Sequence, residues 1–298
     1  MHEPLRRARA GLAAARLRRG RARRRELTAA AALNILKVWL LLVGACALLG
    51  GLGWVLGGYR LLSIFVFCGL LAGAAVYWYS DRMVLGLVGA RPLADAEAPA
   101  LTSAVDRLAA RARVPRPRLY LIPDGFPRTL SAGRGGRGQT LVVSTGLLAA
   151  LPPAELDGVL AHELAHAQRR DVLVQTTATV VASTLLELSR LGGWLQRALL
   201  FILGPVASAV VHGLLSPRRE FATDERAAEL CDSPHGLADA LSRLDQASEL
   251  VSFVGNPATE PLHVIDPFEE RGLGGLFTTH PPVGERIRRL RALDTGGP

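Results

Sequence analysis

Two long runs without a charged residue set the first limit on how this chain can fold. Residues 38–59 are uncharged for 22 positions, and after Arg60 residues 61–80 are uncharged for another 20. At about 1.5 Å of rise per helical residue, each run reaches across a hydrocarbon core of about 30 Å. In lipid a helix is the one open-ended structure that satisfies its own backbone. Trp39, Trp54, Tyr59, Tyr77, Trp78 and Tyr79 fall near the run ends, where interfacial aromatics gather. Residues 33–80 therefore read as a membrane hairpin. A cleaved signal peptide does not fit, because the first run is too long, starts too late, and leads into no small-residue cleavage site.

Ahead of the hairpin, residues 1–26 carry ten arginines against Glu3 and Glu26, which accounts for most of the formal net charge of +9. The remaining chain is nearly neutral. A basic arm can bind nucleic acid, but no aromatic residue interleaves these arginines to stack on bases, and a span follows at once. We read residues 1–32 as a cytoplasmic tail that keeps the N-terminus inside and is drawn to anionic lipid, with no nucleic-acid partner. The hairpin then returns the chain to the cytoplasm near Asp81. Cys46 and Cys68 lie in apolar runs and Cys231 stands alone, so there is neither a disulfide framework nor a C-x-x-C metal site. A reducing compartment is the plainer setting.

The chemistry is concentrated in residues 151–171, LPPAELDGVLAHELAHAQRRD. Pro152 and Pro153 suit a first helical turn, and Glu155 and Asp157 suit its positive end. His162 and His166 are four apart, so both imidazoles leave one face of the helix. Leu156, Leu160 and Leu164 make an apolar stripe on roughly the opposite side. Two imidazoles at this spacing can share one Zn²⁺, with Glu163 beside the metal's open position as general base. Such a zinc has three protein ligands and a water whose pKa falls to about 7. An ordinary helix can spell HELAH by chance, so the motif needs a third ligand.

Around this helix the chain divides into soluble and apolar stretches. Residues 94–113 have helical periodicity, and RLYLI at 118–122 and QTLVVST at 139–145 read as strands. Residues 124–138 between them read as a Gly-rich connection without the G-K-[ST] of a phosphate loop. Residues 172–186 and 198–217 are again uncharged, giving either a second membrane hairpin over 172–215 or a re-entrant pair packed on the soluble part. The hairpin is the expectation, for four spans in all, with Pro205 tolerated inside the last. In 216–231, Ser216 and Pro217 suit a helix start, and Glu220 and Asp224 share a face. Residues 234–254 and 285–293 read as further helices, with a Pro/Gly-rich loop at 257–277.

Glu220 is the best third ligand on chemistry, although it could equally be a surface residue paired with Arg218 or Arg219. HELAH followed by Asp171, an apolar hairpin, RREFATD and then THPPVGERI resembles the HtpX-type membrane zinc endopeptidases, relatives of the prenyl-protein (CaaX) and Oma-type peptidases. The resemblance runs from about Leu33 to the C-terminus. It implies His162, His166 and Glu220 as metal ligands for one Zn²⁺, Glu163 as general base, and Asp224 as a supporting acid. It also implies that His280 steadies the tetrahedral intermediate and that Arg286 is the arginine of the ERI segment; His280 as a plain loop histidine stays open. Where that family has Asn-Ala-Phe-Ala-Thr-Gly, this chain has DGFPRTLSAG at 124–133, keeping Phe126 but losing the Asn, which bears on substrate preference.

The expected fold is mainly α with a small β-sheet. It is a zincin-like protease domain built from residues 81–171 and 216–298 and split by the membrane hairpin. Strand residues 141–145, Val143 among them, are expected to line the cleft and pair with an extended substrate. The expected function is cleavage of membrane or misfolded proteins at the cytoplasmic face of the bacterial inner membrane. The partners are then a protein or peptide substrate and the bilayer. An inactive membrane scaffold of the same fold and a CaaX-type protease are the alternatives.

Overall fold

The computed structural model describes residues 3–134, 138–190, 196–216, 218–231, 233, 235–250, 257–264 and 279–293. Helix α1, Glu3–Leu87, is broken at Gly57 and Gly58, whose backbone leaves the helical region. Gly58 has φ +62°, a conformation glycine adopts without steric cost. The break turns the second arm back along the first. Trp39 stacks on Tyr77 at 5.7 Å, and the Cys46 thiol lies 3.5 Å from the Val66 carbonyl. Leu27–Leu87, 61 residues, is long and apolar enough to cross a membrane.

Four strands follow: β1 (Arg91–Pro92), β2 (Arg118–Ile122), β3 (Thr129–Gly133) and β4 (Gln139–Ser144). Their order is β1-β2-β4-β3; β2 runs parallel to β4, and β3 and β1 are antiparallel to their neighbours. The Gly-rich connection expected at 124–138 thus contains a buried strand, because TLSAG finds its partner in β4. Gly133 is required at its end: φ is +122°, and a Cβ there would meet the Gly138 carbonyl oxygen at 2.2 Å.

Helices α2 (Pro99–Ala112), α3 (Thr145–Ala150) and α4 (Pro153–Arg169) pack on the sheet with α7 (Arg218–Leu230), α8 (Gly236–Leu250) and α9 (Val283–Arg291). Helix α4 starts as its sequence requires, with Pro152 at the N-cap and Pro153 at the first position, and stops at Arg170 in the left-handed region. Leu160 and Leu164 are fully buried, and Leu156 is packed against the same core. Gly158 lets α8 approach closely, since a Cβ would lie 2.5 Å from the Leu237 nitrogen. Helix α7 begins at Arg218, with the Ser216 carbonyl accepting from the Arg219 N–H. Pro217 and the expected loop positions 265–277 lie outside the described residues.

Helices α5 (Asp171–Arg190) and α6 (Gln196–Leu214) pack on each other and on Ile35, Val38, Leu41, Leu42 and Tyr77 of α1. Among the described residues neither is by itself long and apolar enough to cross a membrane; α6 qualifies only together with α7, across a 49° bend. The threonines of α5 explain its weak apolarity. Thr176 is buried, takes the Gly133 N–H at 3.0 Å and returns its hydroxyl to the Val172 carbonyl. The helix thus meets the β-sheet through Thr176 and, one turn on, through Val180 packed against Leu130, Ala132 and Val142.

Candidate metal centre

The helix spacing and one long-range approach build the site. His162 and His166 leave the same face of α4, and their Nε2 atoms stand 3.1 Å apart. Helix α7 crosses α4 and carries the Glu220 carboxylate between them: Oε2 is 3.5 Å from His162 Nε2 and 3.3 Å from His166 Nε2. All three side chains are buried. These separations match the roughly 3.3 Å that ligands about 2.0–2.1 Å from a tetrahedral ion impose on one another. Glu220 Oε2 has no hydrogen-bond donor although it is buried, which leaves a lone-pair oxygen facing two imidazoles. The three residues fit a metal ion.

Supporting groups hold each of these three side chains from behind. Arg219 lies 3.3 Å from Glu220 Oε1, which orients the carboxylate so that Oε2 faces the imidazoles. Asp224, one turn along α7, lies 2.9 Å from His162 Nδ1. Its carboxylate is itself gripped at two points by Arg286 at 2.8 Å each, and Arg286 also donates to the Val264 carbonyl. Asp171 lies 3.2 Å from His166 Nδ1 and takes 2.6 Å from the Asn34 amide, which also donates to the Arg169 carbonyl. A carboxylate behind a ligating imidazole fixes its tautomer and ring orientation.

Charge and burial oppose each other here. Burial alone would raise the Glu220 carboxyl, but His166, His162 and His280 hold it well below the usual range. Burial alone would lower His166, yet the Glu220 and Asp171 carboxylates push it up to about 9. For Asp224 burial is overcome by Arg286 and His162, which hold it at about 2. Glu163 is raised: its burial outweighs the neighbouring imidazoles and the Ser131 hydroxyl.

His280, just before α9, is nearly buried with Nδ1 3.6 Å from Glu220 Oε2. Arg286 is fully buried beneath Asp224. Phe126 sits in the loop before β3, its N–H on Asp124 and its carbonyl on the Ser144 hydroxyl. Val143 corrects an expectation: it lies fully buried in β4, with Leu121 on one side and Thr129 on the other. Both edges of β4 are already hydrogen-bonded, so that strand cannot receive an extended substrate. Asn34 was not foreseen. It lies among apolar residues at the start of the first span, and only the fold of α1 against the end of α4 brings it to Asp171.

The model of peptidase family M48 matches residues 95–294. A "Protease HtpX homolog" of Pelotomaculum thermopropionicum is 35% identical over 279 residues, covering 88% of this chain and 99% of that protein. A second, from Syntrophobacter fumaroxidans, is 36% identical over 274 residues, covering 85% and 97%. The crystal structure of S. mikatae Ste24p is similar over 89% of this chain and 66% of that one, at 17% identity and a TM-score of 0.46. With a family match over most of its length and near full-length HtpX relatives, the chain belongs to peptidase family M48, among its HtpX-like membrane metalloproteases.

Proposed function

We propose that this chain is a zinc-dependent endopeptidase of the 3.4.24 class that cleaves membrane or misfolded proteins at the cytoplasmic face of the bacterial inner membrane. The buried triangle of His162, His166 and Glu220, with Glu163 next to its first member in α4, carries the proposal. Bound there, zinc supplies Lewis acidity toward a water and toward the scissile carbonyl. Glu163 accepts the proton that the attacking water loses and delivers it to the leaving amine. His280 faces the oxygen on which negative charge develops. Asp171 and Asp224 keep the imidazoles turned toward the ion.

The protease body in this reading is formed by residues 81–171 and 216–298, with 172–215 lying between them against the bilayer. The arginine-rich residues 1–26 support a cytoplasmic N-terminus. Detergent-purified protein tests the proposal. Glu163→Gln is expected to abolish casein cleavage while keeping one zinc per chain, and Glu220→Ala to lose zinc on dialysis. Full proteolysis by Glu163→Gln would remove the general base from this scheme, and unchanged zinc in Glu220→Ala would move the third ligand elsewhere.

A further inference from the structure

Two cavities away from the metal centre adjoin each other along α1. One is a groove of about 430 Å³ between the two arms, lined by Trp39, Leu42, Cys46, Gly73, Tyr77 and Trp78 among other apolar residues. The second, about 390 Å³, lies at the end of the second arm, where Trp78 and Tyr79 meet Asp81, Arg82, Arg118 and Arg134. Trp78 lines both.

The pocket is assembled by the fold. The pairings of Arg118 with Thr140 and of Gly133 with Gln139 put the start of β2, the end of β3 and the start of β4 at one end of the sheet. That end lies where α1 leaves its uncharged run. Among the described residues Asp81 is the one carboxylate lining the pocket, and it is paired with Arg118 at 2.8 Å, which leaves an excess of two positive charges there. The Arg82 guanidinium stands 5.5 Å over the Tyr79 ring and Arg134 5.7 Å over Tyr77. These cations are thus held at the level of the aromatic belt. The groove is open beside Gly73, where a Cβ would touch only Leu42, at 3.9 Å.

We propose that the two cavities together bind one anionic diacyl phospholipid, with its phosphate on Arg82 and Arg134 and an acyl chain along the groove. The charge excess selects an anionic headgroup over a zwitterionic one. The apolar groove running into the pocket selects a lipid over free phosphate, which would leave the groove unfilled. An apolar partner helix would bring nothing to the arginines at its end. The inference rests on α1 lying in a bilayer.

Native mass spectrometry of the full-length protein in detergent tests it, with dioleoyl phosphatidylglycerol, dioleoyl phosphatidylcholine and inorganic phosphate as probes. One phosphatidylglycerol per chain is expected to be retained, with phosphatidylcholine bound far more weakly and phosphate unable to displace the lipid. Arg82→Ala should weaken retention about fivefold, and Arg82→Ala/Arg134→Ala roughly thirtyfold. Gly73→Leu, which fills the groove, should also weaken it. The arginine-rich tail is intact in every variant, and an unchanged metal content shows that each is folded. Equal retention of the two lipids, or unchanged retention in the double variant or in Gly73→Leu, would overturn the proposal. Displacement by inorganic phosphate would reduce the site to an anion pocket. A chain that stays soluble without detergent would instead refute the bilayer placement of α1.

Discussion

Arg286→Met tests how the metal centre is supported. Arg286 is fully buried and Asp224 nearly so, and two hydrogen bonds of 2.8 Å join them. Solvent screens such a pair little. Removing the guanidinium strands a buried carboxylate and frees the Val264 carbonyl, at a cost of about 3–5 kcal/mol. For a body of this size that corresponds to a drop of roughly 6–20 °C in apparent Tm. Asp224, held at about 2 chiefly against burial by Arg286, then takes up a proton and loosens its hold on His162. Metal affinity should fall about 10–100-fold. Melting is measured with a chelator present, so that metal binding does not itself stabilise the fold. Arg286→Met/Asp224→Val separates the two effects, because an apolar pair of similar size is often as stable as the buried ion pair it replaces. The double variant should regain Tm but not metal affinity. A single variant melting within about 2 °C of wild type, or a double variant no better than the single, would refute the reasoning.

Asn34→Ala removes the amide donor from Asp171 and should lower metal affinity about tenfold, read by chelator competition, with proteolysis restored at high zinc; wild-type affinity would show that His166, with Arg169 at 3.5 Å and Arg219 at 3.8 Å, suffices to hold Asp171. His263 is buried and neutral: burial, with Arg128 and His280, lowers it from 6.5 to about 3. The unfolded chain therefore binds the extra proton between those pH values, so stability should fall as pH drops through 6.5 toward 3, by up to about 1.4 kcal/mol per pH unit. His263→Gln should flatten that part of the Tm–pH curve, and an unchanged slope would exclude His263 as its source.

Local patterns made much of this protein legible. The uncharged runs gave the hairpin of α1, since length and hydropathy are properties of contiguous residues. The four-residue spacing gave the pair His162 and His166, because helical geometry alone puts them on one face. The prolines at 152 and 153 marked the start of α4. β3 was missed for the opposite reason. Its residues are small and flanked by glycine, and its strand character depends on pairing with β4 and on the Thr176 hydroxyl. Chemistry by itself left Glu220 balanced between ligand and surface ion pair. The fold buries it, with Oε1 near Arg219 and Oε2 near the imidazoles.

What the sequence determined by itself is that His162 and His166 share one helix face and which segments are apolar, as both follow from neighbours within one helical turn or one run. What the tertiary structure decided is which groups meet. Helix α7 brings Glu220 to His162 across 58 residues, α9 brings Arg286 beneath Asp224, and α1 brings Asn34 to Asp171 across 137 residues. No local pattern encodes those approaches. They come from packing apolar faces around a shared core, which brings the buried charges and their polar partners together.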